Sequence, residues 1–225
     1  MLKFFAKYKF FAIVLFVLSA IIITIIYQLL KPEPTLPIYQ PDMVNKELVD
    51  TTVQYVRKYH KVPDFKLVNQ NGDTITQKNY EDKIYITDFF FTTCQGICPI
   101  MTDHMVKIQE EFKDDPEVLL LSHSVTPEID SVAQLKKYAE EKGVIDEKWN
   151  LVTGDKKQIY DLARKSYLVA KSQGNGGKYD MIHTENFALV DKNKQVRGFY
   201  DGTNPEAIEQ LVEDVKLLKK LEKER

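Results

Sequence analysis

Residues 84–101 read IYITDFFFTTCQGICPIM, and the fold turns on this stretch. Ile84 to Thr92 is a nearly continuous apolar and β-branched run, the pattern of a strand buried on both faces. Pro99 follows the second of two cysteines and suits the first turn of a helix, where its missing N–H is no loss. Met101, Met105, Ile108 and Phe112 then supply one helical stripe. A central strand therefore runs into a helix through a turn that holds Cys94 and Cys98, the only two cysteines of the 225 residues.

Working outward, Val62 to Val68 predicts a strand entering a turn at Asn71-Gly72-Asp73. Val118 to Val125 (VLLLSHSV) predicts a second buried strand. Asp130 is placed to cap a helix over Ser131 to Lys142, with Gly143 as its stop. Trp149 to Thr153 reads as a short strand, Asp155 to about Ser166 as a helix, and Ser172 to Tyr179 as a Gly-rich loop. Glu185 to Val190 and Gln195 to Tyr200 flank Asp191-Lys192-Asn193-Lys194, a hairpin signal. Asn204 and Pro205 open a last helix with Ile208, Leu211, Val212, Val215 and Leu218 on its apolar face. Strand–helix alternation implies a mainly parallel sheet with helices on both faces. The closing hairpin and helix complete an α/β, thioredoxin-like fold, a central mixed sheet flanked by helices.

The N-terminus stands apart. Phe10 to Leu30 is 21 residues without a charge. At about 1.5 Å per residue such a helix crosses a bilayer core of about 30 Å. Lys3, Lys7 and Lys9 precede it and no acid lies among the first 30 residues, which keeps this end cytoplasmic and exports the rest. No A-x-A-like cleavage site ends the run, so an uncleaved anchor is expected over a signal peptide. Lys31 to Pro41 holds four of the nine prolines and reads as an extended tether. The expected layout is thus 1–30 as cytoplasmic tip and transmembrane helix, 31–41 as tether, and 42–225 as the folded domain.

Composition bounds what that domain does. There are 31 Lys+Arg against 33 Asp+Glu, a net charge of −2, which argues against nucleic acid as a partner. Two cysteines cannot build a disulfide scaffold, a zinc ribbon or an iron–sulfur cluster. They lie instead at the carboxyl end of a buried strand and the start of a helix, the edge where α/β sheets place their sites. A helix N-terminus also lowers a thiol's pKa. The C-x-x-x-C spacing lets the sulfurs close a disulfide or share one metal ion. A purely structural disulfide would gain little from so short a loop.

Two thiolates leave a metal site incomplete, so a histidine is expected as third ligand. His183 follows the Gly-rich loop and precedes a strand at the sheet edge, which makes it the candidate. His104 is expected to face away or pack, His60 to be solvated, and His123 to lie near the site without ligating. Two thiolates and an imidazole suit copper, as Cu(I) or Cu(II), and also zinc; a structural zinc would want a fourth ligand, which favours copper.

The pattern F-x-F-T-x-C-x-x-x-C-P at Phe89 to Pro99, with His183 some 85 residues on, resembles the Sco/SenC family. Further matches are Pro63-Asp64-Phe65, Ser124 to Glu128 and Leu151-Val152-Thr153-Gly154, and the likeness covers roughly residues 60–220. The resemblance implies a membrane-anchored copper chaperone, with copper on Cys94, Cys98 and His183. Its partner would be cytochrome c oxidase subunit II or another copper protein, and its place the bacterial inner membrane, single-pass, with the soluble domain in the periplasm. One departure is Thr126, where the family usually carries Asp within S-V-D-P-E.

Asp88 keeps a second chemistry open. It lies six residues before Cys94, the offset at which thioredoxins bury an aspartate that handles a proton. A Cys94–Cys98 redox pair with Asp88 as proton acceptor would make the chain a thiol–disulfide reductase keeping a copper partner's cysteines reduced. Against that, thioredoxin-type oxidoreductases set a cis-proline against their cysteines, and no proline lies between Pro127 and Pro205. A bland alternative is a Asp88 side chain reaching solvent at a strand end. A redox or copper sensor is the remaining reading.

Overall fold

The computed structural model describes residues 2–30, 35–171, 174, 177 and 180–223. The chain divides into two compact units, Met1–Thr35 and Leu36–Arg225. The first contains α1 (Leu2–Leu30). Within it, Tyr8–Leu30 is the one helix among the described residues long and apolar enough to cross a membrane.

The second unit is built on a sheet of β1 (Lys66–Asn69), β2 (Thr74–Thr76), β3 (Ile84–Phe90), β4 (Val118–Ser124), β5 (Trp149–Thr153), β6 (Asn186–Val190) and β7 (Val196–Asp201), in the order β2-β1-β5-β4-β3-β6-β7. The helices are α2 (Cys98–Phe112), α3 (Val132–Lys142), α4 (Lys156–Asp161) and α5 (Pro205–Lys223). Among the described residues only β3–β4 and β4–β5 pair in parallel. The other pairings are antiparallel, so the sheet is more mixed than simple alternation implies. The reason is local. Parallel neighbours need a helical crossover, whereas β1–β2 and β6–β7 are joined by tight turns. The result is the thioredoxin-like arrangement.

β3 reads as a continuous apolar run because both of its faces are covered. Ile84, Ile86 and Phe90 pack with Met101, Met105 and Ile108 of α2 and with Leu211 and Val215 of α5. Tyr85 and Phe89 point the other way, onto Ile159, Tyr160 and Tyr167. Each such side chain contributes roughly 1.5–3 kcal/mol by leaving water.

Several boundaries differ from the expectation. β1 starts at Lys66 rather than Val62, because Pro63 has no N–H for a ladder. The cap of α3 is Ser131, whose Oγ accepts the Gln134 N–H at 3.3 Å; Asp130 is engaged elsewhere. Gly143, at φ 71°, stops that helix in the left-handed region that glycine enters without strain. Asp155 caps α4 through the Gln158 N–H at 2.7 Å, but the helix ends at Asp161 and continues as one π-helical turn, Leu162–Ser166. Asn204 caps α5 as expected, accepting the Glu206 N–H at 2.9 Å. Ahead of β1, Tyr39 donates its N–H to Val196 at 2.9 Å and sets its ring 4.9 Å from Phe199.

Candidate metal centre

Cys94 and Cys98 are both free thiols at the carboxyl edge of the parallel strands. Cys98 is the first residue of α2 and is buried among Ile86, Phe90 and Met101; Cys94 is half-buried in the turn before it. The Cys94 N–H donates to the Phe91 carbonyl at 3.2 Å, which folds the turn back over the end of β3.

No side chain caps α2. The backbone N–H groups at and just before its start, those of Gly96, Ile97 and Cys98, lie around the Cys94 sulfur. Burial pushes the Cys94 thiol up, but the Cys98 thiol and the backbone N–H groups of Cys98, Gly96 and Ile97 together hold it below the usual range. Burial pushes Cys98 up to about 12, and the neighbouring Cys94 adds to the effect. The turn therefore carries one accessible, acidic thiol and one buried, protonated thiol.

Asp88 is not at a solvent-facing strand end. It is 1% exposed, on the same sheet face as Ile86 and Phe90, below α2. Burial pushes its carboxyl up to about 7 although the Ser122 hydroxyl donates to it. Ser122 in turn accepts the Trp149 Nε1–H at 2.9 Å. Tyr138 is a neighbour that sequence reasoning missed. Its hydroxyl shares a 2.8 Å hydrogen bond with Thr102, and burial, with Asp88 and Cys98 nearby, pushes it up to about 12.

Asp130 is the second missed residue. Fully buried, it accepts the Thr92 hydroxyl at 2.6 Å and Thr92 N–H at 3.3 Å, the Ser124 hydroxyl at 2.5 Å and the Thr126 hydroxyl at 3.0 Å. It thus ties the strand-to-cysteine turn to the segment after β4. Thr126, standing where the resemblance leads one to expect Asp, is one of its donors.

His183 is exposed, between the buried Ile182 and Thr184. Its ring lies 6.0 Å from that of Phe91, edge to face. The carbonyl of Phe91 receives the Cys94 N–H, so the imidazole and the thiols are both neighbours of this one residue. They do not yet converge. Among the described residues no three His, Cys, Asp or Glu side chains are grouped closely enough to hold a metal ion. The donor set itself, two sulfurs and an imidazole, fits a soft metal such as copper. Of the loop glycines, Gly174 and Gly177 are described; Gly176 lies outside the described residues.

The other histidines are structural. His104 is buried with Nδ1 2.7 Å from the Gly202 carbonyl. His60 is half-buried rather than solvated, with Nε2 2.8 Å from the Ser166 carbonyl, and burial lowers its pKa. His123 is fully buried on the sheet face opposite Asp88, stacked on Phe89 at 4.8 Å, with Nδ1 3.1 Å from the Thr87 hydroxyl.

The chain is similar in sequence and fold to known proteins. A SCO1 protein homologue of Bacillus subtilis is 32% identical over 161 residues, 70% of this chain and 82% of that protein. BsSco, described as a member of the Sco family of cytochrome c oxidase assembly proteins with a disulfide switch, superposes with a TM-score of 0.57 at 29% identity, over 71% of this chain and 93% of its own. Yeast Sco1, solved with copper bound, gives a TM-score of 0.54 at 25% identity, over 70% and 90% of the two chains. The sequence model described as SCO1/SenC matches residues 53–220, which spans every strand of the sheet and both cysteines, and the chain therefore belongs to the SCO1/SenC family.

Proposed function

We propose that this chain is a membrane-anchored copper chaperone that binds one copper ion through Cys94, Cys98 and His183 and assists assembly of the copper site of cytochrome c oxidase. The observation that carries the reading is the pairing of an accessible acidic thiol with a buried thiol on one turn, with a lone exposed imidazole beside the same Phe91. Yeast Sco1, solved with copper bound, and BsSco, a member of the Sco family of cytochrome c oxidase assembly proteins, support the metal and the process. Copper is cargo here. A soft ion held by two thiolates and one imidazole has few bonds to break on transfer, which suits handover to oxidase subunit II or another copper protein. In this reading residues 1–30 hold the chain in a bacterial inner membrane and the unit from Leu36 onward works in the periplasm.

A second reading, thiol–disulfide reductase, is favoured by Asp88. The Cys94 thiolate would attack a partner disulfide and form a mixed disulfide. Cys98 would pass its proton to the Asp88 carboxylate and attack the Cys94 sulfur, releasing the partner's dithiol and leaving this chain oxidised. That chemistry would prepare copper-site cysteines for loading.

Copper titration of the full-length protein in detergent, with and without prior reduction, tests both. The chaperone reading expects one copper per reduced chain, and loss of tight binding in Cys94→Ala, Cys98→Ala and His183→Ala. Native affinity in His183→Ala would sink the ligand assignment. Reduction of a partner disulfide by metal-free protein, with no stoichiometric copper binding, would favour the reductase.

A further inference from the structure

The loop that leads to His183 is closed by one buried arginine. Arg164, on the π-helical turn, donates its Nε–H to the Lys171 carbonyl at 2.8 Å. Its two terminal nitrogens donate to the two carboxylate oxygens of Asp180, at 2.7 and 2.8 Å. Lys171 and Asp180 flank the Gly-rich stretch, so one guanidinium holds both flanks. The side chains of the pair are only 5% and 8% exposed. The single proton of the Tyr160 hydroxyl is shared between the Val125 carbonyl at 2.9 Å and the Asp180 carbonyl at 3.0 Å, and the Arg164 guanidinium sits 5.3 Å over the Tyr160 ring. Gly174, at φ 118°, lies against the pair; a Cβ there would collide with the Asp180 carboxylate and with Arg164. Past the latch, Ile182 is buried and the Thr184 hydroxyl donates to the Val169 carbonyl at 2.5 Å. Backbone on both sides of His183 is thereby fixed.

We infer that Arg164 and Asp180 are positioning residues for His183: they latch the backbone three residues ahead of it and so set where the imidazole stands beside Phe91. This rests on the reading of His183 as a copper ligand. A planar fork meeting a carboxylate in two parallel bonds is a geometric constraint as well as an ion pair. A single π-helical turn is where helices commonly depart from regularity to aim a functional side chain. The loop's glycines, which would otherwise suggest a hinge, are explained at Gly174 by close packing on the latch.

The test uses the full-length chain in detergent, loaded with Cu(II), with Asp180→Asn, Gly174→Ala and His183→Ala compared with the native protein. The readouts are the thiolate-to-copper absorption band, the nitrogen coupling in the electron paramagnetic resonance spectrum, and thermal unfolding. Asp180→Asn and Gly174→Ala are expected to keep the thiolate band, lose or scatter the nitrogen coupling, and bind copper about tenfold more weakly, the lower end of what outer-shell partners contribute. Native nitrogen coupling and affinity in both variants overturns the latch. Native coupling in His183→Ala overturns the ligand reading instead. The latch is then judged in the metal-free protein, where Asp180→Asn must remove the ring-current shift that Phe91 imposes on the His183 ring protons; an unchanged shift overturns it. If Asp180→Asn does not fold, the native Arg164 Nε–H decides: slow solvent exchange supports the latch, and exchange as fast as that of an exposed arginine refutes it.

Discussion

Ser122 donates its hydroxyl proton to Asp88 across the parallel β3–β4 pair, directly opposite it in register. One position along the same two strands, and on the other face of the sheet, His123 stacks on Phe89. Asp88 and His123 are thus buried on opposite faces of the sheet, and burial drives them in opposite directions. Asp88 is pushed up to about 7 and His123 down to about 3.

These opposite shifts give opposite dependences of stability on pH. Asp88 titrates near 3.8 when unfolded and about 7 when folded, so its contribution is full below about pH 4 and is lost as pH rises toward 7. His123 titrates near 6.5 when unfolded and about 3 when folded, so its contribution is full above about pH 6.5 and is lost as pH falls toward 3. Each slope approaches about 1.4 kcal/mol per pH unit, and between about pH 4 and 6.5 they cancel. Urea unfolding of Asp88→Asn at stepped pH is expected to show stability rising with pH in that window. His123→Phe is expected to show it falling. A variant that keeps the native profile would falsify the assignment of that slope.

The thiols should differ in reactivity by far more than their exposure suggests. Cys94 is accessible and held below the usual thiol range, whereas Cys98 is buried and pushed up to about 12. The thiolate is the reacting species. Brief iodoacetamide treatment of the reduced, metal-free protein near pH 7.5 is expected to label Cys94 at least about a hundredfold faster than Cys98, given the gap in thiolate fraction. Peptide mass spectrometry reads the ratio. Equal labelling would mean that the α2 N–H groups are not directed at Cys94.

How much of this was readable beforehand follows from the range of each interaction. β3 and α2 were legible because a strand covered on both faces leaves an unbroken apolar run and a helix leaves a stripe at Met101, Met105 and Ile108. β2 was not, since Thr74-Ile75-Thr76 is three residues long with one apolar side chain. The cysteine turn announces itself by residue type. Its supports do not: Asp130 and Ser131 are both good caps, and only the bonds from Thr92, 38 residues away, assign Asp130 to the turn. Ser122 and Tyr138 join Asp88 through register and helix packing, which no local pattern encodes.

Asp130 carries a prediction of its own. Asp130→Ala leaves the hydroxyls of Thr92, Ser124 and Thr126 without their common acceptor, all in or beside the cysteine turn. Orphaned donors around a lost buried carboxylate should lower stability by about 2–4 kcal/mol. Thr126→Ala removes one donor and should cost about 1 kcal/mol. Thr126→Asp, which restores the residue usual in the family, should also destabilise at neutral pH, because it sets a second carboxylate against Asp130 in a buried pocket. Denaturant unfolding gives all three. A stabilising Thr126→Asp would show that the pocket welcomes a second acid.

The start of the folded unit depends on a second buried arginine. Arg197 pairs with Asp191 at 2.9 Å, with side chains 3% and 1% exposed. Its remaining nitrogens donate to the Pro37 and Leu36 carbonyls at 2.9 and 2.7 Å. Pro37 offers no N–H of its own, so Arg197 fixes the first residues of a stretch that Tyr39 holds further on through Val196. Arg197→Met should therefore act twice. It strands the Asp191 carboxylate in the core, which costs roughly 3–5 kcal/mol when one partner of a buried pair is removed. It also frees Leu36 and Pro37, so limited proteolysis under native conditions should cut ahead of Tyr39 sooner than in the native chain. Pairing it with Asp191→Asn relieves the stranded charge and should recover part of the stability, while the early cut persists because the Leu36 and Pro37 carbonyls still lack their donor. Restoration of both properties together by the double variant would mean that the segment is held by Asp191 and not by Arg197.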